Sequence, residues 1–257
     1  MAKGRLTVVG TGIAAVRHAT QEACFHIAHA DKVFFLVVDP LTREWILRLN
    51  PAAESLSVHL VPGREREVSF KGMVDQIAQA VYEGSRVVAV FYGHPGVFVQ
   101  PSHMAIQRLR VEGYEATMLP GISTEDCLIS DLGVDLSQSG YQGYEASNFL
   151  VCNKQPDTAA ALILWQIGVI GQVKVGIGRA DGLEVLTERL LKFYPADHQV
   201  TIYEAATLPV CDTLVQKIQL VQLPGCTVSP VSTLFIPPSR EASLDSAMLK
   251  RLQIDIR

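Results

Sequence analysis

An α/β fold of two domains is what the sequence predicts, and three observations predict it. In the first half, short β-branched runs alternate with helical patterns, the rhythm of a largely parallel sheet with helices on its faces. In the second half the apolar strands are longer and fewer helices separate them, which predicts a mixed sheet. Between the halves, Leu-Pro-Gly-Ile-Ser-Thr at residues 119–124 breaks the pattern and marks the boundary. A chain of 257 residues, 48% hydrophobic and 19% charged, has enough apolar material for a sizeable core, so disorder is excluded as its main state.

Taken in order, the first half reads as a strand over residues 6–9, a helix over 20–29, a strand over 33–38 and a helix over 42–49. A strand over 56–61, a helix over 69–82, a strand over 87–91, a helix over 102–112 and a strand over 116–119 follow. Gly84, Gly113 and Gly133 sit where a left-handed cap ends a helix. Pro120 and Gly121 stop the last of these strands, and Ser123 or Thr124 can cap the next helix. The second half offers strands over 148–152, 161–167, 173–177, 199–204 and 231–236, the last closed by Pro237-Pro238. An amphipathic stretch over 244–254 ends the chain. The expected division is an N-terminal domain at 1–119, a C-terminal domain at 120–240 and a short helical tail at 241–257.

Charge and cysteine usage narrow the function. A net charge of -4 with no long basic run argues against nucleic acid, and the densest cluster, "GREREVSFK" at 63–71, alternates in sign as a solvated loop or helix start does. The five cysteines are widely spaced and never in a Cys-x-x-Cys pair, which fits reduced thiols in a cytoplasm. His26 and His29 share a helical face without a nearby third ligand, so no metal is implied. The opening "MAKGRLTVVGTG" is too short an apolar stretch for a signal peptide. The most apolar window, about 13 residues from Ala159, is interrupted by Gln166 and falls short of the roughly 20 that a span needs.

Two glycine-bearing turns carry the chemistry. "VVGTGIAA" at 8–15 matches the dinucleotide fingerprint Gly10-x-Gly12-x-x-Ala15, with Asp39 where a ribose-binding acid would stand. Against a dehydrogenase stand the loop-like "AVRHAT", the proline after Asp39 and the lack of a Tyr-x-x-x-Lys pair; the plainer reading is a tight turn that lets two backbones meet. In "FYGHPGVF" at 91–98, Gly93 and Gly96 permit backbone angles closed to other residues and Pro95 fixes one more, so the turn can present amides and carbonyls to a ligand at the end of a parallel strand. A rigid connection is the competing reading. Ser102 beside His103 does not make a nucleophile, because neighbours in sequence do not reach each other as a triad does.

"VVGTG", "FYGHPGVF" and "LPGIST" occur in the order of the tetrapyrrole-methylase superfamily, whose members use S-adenosylmethionine, and the chain resembles it over about residues 4–238. With the later "YEAS", "LWQIG", "YEA" and "VSTLFIPP", it resembles most closely the borosin peptide-backbone N-methyltransferases. The resemblance implies a two-domain fold with S-adenosylmethionine in the cleft and a homodimer. It implies that the turn of Tyr92, Gly93, His94, Gly96, Val97 and Phe98 lies along the cofactor's methionine and sulfonium, with Ser123 and Thr124 reaching it from the junction. Gln166 and Ala205 match positions near the adenosine, and the loop at Gly10 borders the acceptor cleft.

Fused borosins carry a clasp and their own substrate peptide after the methylase. Here about 19 residues follow Pro238, so the expectation is the split type, acting on a separate precursor peptide. Family catalysis rests on an arginine among tyrosines: Arg66 holds the arginine position, but the matching tyrosine positions hold Ser57, Leu60 and Phe70. Proton removal then falls to another group, with Tyr92 and Tyr144 nearest by motif. The rivals are a corrin or porphyrin C-methyltransferase sharing the cofactor site, and a scaffold that binds peptide without turnover.

Overall fold

A computed structural model describes residues 3–14, 16–37 and 39–255. In chain order its first elements are β1 (Arg5–Gly10), α1 (Gln21–His29), β2 (Lys32–Leu36), α2 (Pro40–Leu49), β3 (Glu54–Ser55), α3 (Arg66–Tyr82), β4 (Arg86–Phe91), α4 (Gln100–Val111), β5 (Glu115–Met118) and α5 (Thr124–Leu132). Then come β6 (Tyr141–Glu145), α6 (Ala146–Val151), β7 (Ala161–Trp165), α7 (Gly182–Leu190), β8 (Gln199–Glu204), β9 (Leu214–Gln219), β10 (Thr233–Ile236) and α8 (Ser246–Leu252).

The first sheet is parallel in every pairing, in the order β3-β2-β4-β1-β5. Alternation along its strands feeds two cores. Leu6, Val8, Phe34, Val87, Ala89 and Phe91 face Met73, Ile77, Val81 and Leu109 of α3 and α4. Val9, Val33, Phe35, Val88 and Val90 face Ala23, Ile27 and Ile46 of α1 and α2. Both faces are therefore buried, which is why these strands read as unbroken apolar runs. The second sheet is mixed, ordered β6-β7-β10-β8-β9, with β6 parallel to β7 and β10 antiparallel to both β7 and β8. Its core gathers Phe149, Leu162, Leu164, Leu186, Ile202 and Leu234.

The chain forms two compact units. The first is Met1–Val134 with Gly171–Arg179 and Glu204–Val215; the second is Asp135–Ile170, Ala180–Tyr203 and Gln216–Arg257. Among the described residues no helix is long and apolar enough to cross a membrane.

Several expected elements differ. Residues 148–151 are helical: the Glu145 carboxylate accepts from Ser147 N at 3.0 Å and Asn148 N at 2.7 Å, capping α6 and overriding the strand-like run Phe149-Leu150-Val151. The strand there is β6, just upstream. Residues 173–177 form a turn with isolated bridges at Lys174 and Ile177. The strand expected over 56–61 is reduced to β3, and Leu56–His59 is a 3-10 turn that buries Leu56. Asp39 is the N-cap of α2, its carboxylate accepting from Thr42 N at 2.7 Å, which removes it as a ribose ligand. Ala15 of the fingerprint and Val38 of the second strand lie outside the described residues.

Candidate functional site

The connections leaving β1 and β4 part company. From β1 the chain crosses to β2 on one side, and from β4 it crosses to β5 on the other, while Gly10 and Phe91 end side by side in register. This is a topological switch point, where ligands of parallel sheets bind beyond the carboxyl ends of the strands.

The two glycine turns meet there. Gly12 N donates to Gly93 O at 3.2 Å and Gly93 N to Gly12 O at 3.0 Å, and a Cβ on Gly10 would stand 2.1 Å from Gly93 O. Close backbone approach thus explains Gly10 without a dinucleotide. Gly93 sits at φ 74, where side chains are disfavoured. Gly96 does not; it is glycine because a Cβ would meet Met118 Sδ at 2.7 Å and the His94 ring, a packing reason where the sequence suggested a conformational one. His94 Nδ1 accepts from Gly96 N at 2.9 Å, and the buried Ser102 hydroxyl donates to the carbonyls of Pro95 and Val99, fixing the turn from inside. That use leaves Ser102 no part as a nucleophile.

Gly121 packs beside Pro95 Cδ, Gly93 O and His94 Cα at 3.4–3.6 Å from the position of a Cβ. Ser123 is the N-cap of α5 in a capping box with Asp126, its backbone N donating to the carboxylate at 2.6 Å, and Thr124 opens the helix. Val97 and Phe98 are exposed, and Phe98 is left-handed at φ 56. Gln166, in the second unit, is left-handed too, at φ 60 ahead of a 3-10 turn. Strain of this kind, about 1–3 kcal/mol at a residue, tends to collect where a ligand is held.

Tyr92 follows β4 with its N bonded to Leu36 O at 3.1 Å. Burial, then the charges of Cys127 and Asp39, push its phenol up to about 12, so at neutral pH it keeps its proton and offers a hydrogen bond instead of acting as a base. In the same unit a cavity of about 350 Å³ is lined by His18, Ile122, Cys127, Asp131, Ala205 and Thr213 among others, placing Ala205 beside α5. Sequence reading missed His18 and Cys127. His18 Nδ1 accepts from Ala14 N at 3.1 Å, and burial and Arg17 hold its pKa down, so the ring is neutral at pH 7. Burial likewise raises the Cys127 thiol to about 11. No local signal marks either residue, because the loop after β1 and the segment 204–215 reach α5 only through tertiary folding.

Arg66 opens α3. Its guanidinium lies over the Phe70 ring at 5.5 Å, and its N donates to Val173 O at 3.0 Å. The substituted tyrosine positions supply no phenol: Ser57 Oγ pairs with Ser55 Oγ at 2.8 Å, Leu60 packs against the core and Phe70 carries the arginine. Tyr144, on β6 in the second unit, tilts against Phe149 at 6.0 Å with Lys154 Nζ 5.5 Å from its ring centroid.

Residues 5–220 match the family of tetrapyrrole (corrin/porphyrin) methylases. The chain is 39% identical over 257 residues to a methyltransferase and ribosomally synthesized cyclic peptide precursor for gymnopeptides from Gymnopus fusipes, covering 98% of this chain and 61% of that protein. It is likewise 39% identical to a methyltransferase and type I borosin cyclic peptide precursor from Serendipita vermifera subsp. bescii, covering 98% and 63%. The chain thus spans about three-fifths of the length of these relatives. Among solved structures, uroporphyrin-III-C-methyltransferase from Thermus thermophilus superposes with a TM-score of 0.63 at 22% identity, over 92% of this chain and 93% of that one.

Proposed function

Because the chain belongs to the tetrapyrrole (corrin/porphyrin) methylase family, we propose that it is an S-adenosylmethionine-dependent methyltransferase acting on backbone amides of a ribosomal precursor peptide. The observation that carries the cofactor reading is the switch-point turn: Tyr92–Phe98 and Gly121–Thr124 are packed together, internally bonded and free of lysine and arginine. A sulfonium held there would have a neutral phenol nearby and no like charge in these segments. Tyr92, Gly93, His94, Gly96, Val97, Phe98, Ser123, Thr124 and Ala205 would hold the cofactor, and Gln166 is added on the resemblance alone. When bound, it supplies an electrophilic methyl group.

The chain's own residues must then prepare the acceptor. An amide nitrogen is a poor nucleophile because its lone pair is delocalised into the carbonyl, so methylation requires charge to gather on the oxygen. The Arg66 guanidinium suits that oxygen as a two-pronged donor, and loss of such a donor typically costs about 100- to 1000-fold in rate. Tyr92, neutral at working pH, is a donor first; Tyr144 is the other candidate for handling the amide proton.

The peptide acceptor is favoured over a corrin or porphyrin because relatives matching 98% of the chain are named as cyclic-peptide precursors, whereas the porphyrin methylase shares the fold alone. We take the acceptor to be a separate chain and the enzyme to be a homodimer, and the five free cysteines support a reducing, cytoplasmic setting. The reading of a scaffold without turnover draws on one observation, the absence of a phenol at positions 57, 60 and 70.

The test is label transfer. The protein is incubated with S-adenosylmethionine carrying a labelled methyl, alone and with a peptide extract of its source cells, and the label is located by fragmentation. Label on backbone nitrogens of a separate peptide is the expected result. Label on the protein's own chain would refute the separate precursor, label on a tetrapyrrole would replace the peptide, and cofactor binding without any transfer would leave the scaffold.

A further inference from the structure

We propose that residues 171–179 are a positioning strap that fixes Arg66 for turnover, an inference that rests on the role given to that arginine above. α3 starts without a side-chain cap: Glu65, its N-cap, makes no such bond. Its first helical N–H, that of Arg66, is satisfied by the carbonyl of Val173 at 3.0 Å. Two more backbone bonds continue the pairing, Gly63 N to Val175 O and Val175 N to Arg64 O, both at 2.9 Å, with Glu65 directly opposite Lys174. Lys174 pairs in turn with Ile177 across a turn whose Gly176 has φ 71.

The strap therefore supplies what the sequence of α3 lacks. An uncapped first turn frays, since its N–H groups have no partners within the helix. Fraying here would release the Cα of Arg66, and a displacement of about 1 Å at a substrate-orienting group can cost on the order of 100-fold in rate. Phe70 restrains the guanidinium from the helix side, while the strap restrains the backbone that carries it. The backbone bond puts Val173 beside Arg66, next to the bridge of Glu65 and Lys174. Val173 is 73% exposed and Ile177 56%, so the strap is held by backbone bonds more than by burial. A few changes in it can loosen it without opening the core.

Two variants break the strap by different means. Val175→Pro removes the N–H that bonds Arg64 and cannot sit in the pairing; Gly176→Val forces a β-branched residue into a left-handed turn. Val175→Thr keeps both the donor and the branched shape. The rate of labelled methyl transfer from S-adenosylmethionine into the peptide extract is measured at saturating extract, alongside calorimetry with S-adenosylhomocysteine. Expected are a loss of about 10- to 100-fold in both strap-breaking variants, product affinity within about twofold of the parent, and full rate in Val175→Thr. On an Arg66→Ala background, Val175→Pro should add no further loss, because the strap acts through that residue. A Val175→Pro protein at full rate, or one whose loss multiplies that of Arg66→Ala, would overturn the strap while leaving the arginine in place. Full rate in Arg66→Ala alone would instead remove the arginine reading beneath it.

Discussion

At the scale of single residues, Arg66 and Tyr92 make the sharpest claims. Arg66→Lys is expected to keep cofactor affinity and lose most turnover, since a point charge does not copy a planar fork; calorimetry beside a transfer assay reads both. Phe70→Tyr should leave activity unchanged or raise it, because it restores a hydroxyl at the edge of the ring that the guanidinium already covers. Tyr92 gives a pH prediction. Its phenol titrates near 10 in the unfolded chain and about 12 in the folded one, so the folded state holds the proton more tightly. The stabilisation from this group is complete below pH 10 and is lost as pH rises through 12. Urea midpoints measured across pH 9 to 12 should therefore fall more steeply for the parent than for Tyr92→Phe; equal slopes would contradict the buried phenol.

At the scale of elements, the turn after β4 and the start of α6 are testable in isolation. Ser102 is fully buried and its hydroxyl holds the carbonyls of Pro95 and Val99. Ser102→Ala leaves them without that donor at a cost of about 1–3 kcal/mol, and should also weaken S-adenosylmethionine binding if the turn is the cofactor site. Destabilisation with unchanged affinity would separate the turn from binding. Glu145→Ala removes the cap of α6 and should cost about 0.5–2 kcal/mol by denaturant unfolding. This element shows where local reading stops. The apolar run at 149–151 suits a strand or a buried helix equally, and the arbiter is the carboxylate at Glu145 accepting from two amides.

At the scale of the whole molecule, it is the assembly that bears on chemistry. A homodimer is expected in solution, and light scattering at micromolar concentration should give twice the chain mass of 28.1 kDa. A stable monomer would count against the assembly implied by the resemblance to the borosin enzymes, and would mean that one chain must hold the acceptor peptide unaided.

What the sequence determined by itself is what neighbouring residues dictate. The β-branched runs became β1, β2, β4 and β5, the glycine after α5 became its left-handed end at φ 62, Ser123 became a cap, and the order of the glycine turns points to the family. Each depends on alternation, capping or glycine chemistry within about a dozen residues. Only the tertiary structure decided that β1 lies between β4 and β5, that Gly10 is small because it meets Gly93, that His18 faces α5, and that residues 171–179 cap the helix of Arg66. Those are pairings between segments far apart in the chain. Nothing in a short window specifies strand order or the partner of an uncapped helix; they are set when the cores close and the remaining backbone groups find each other.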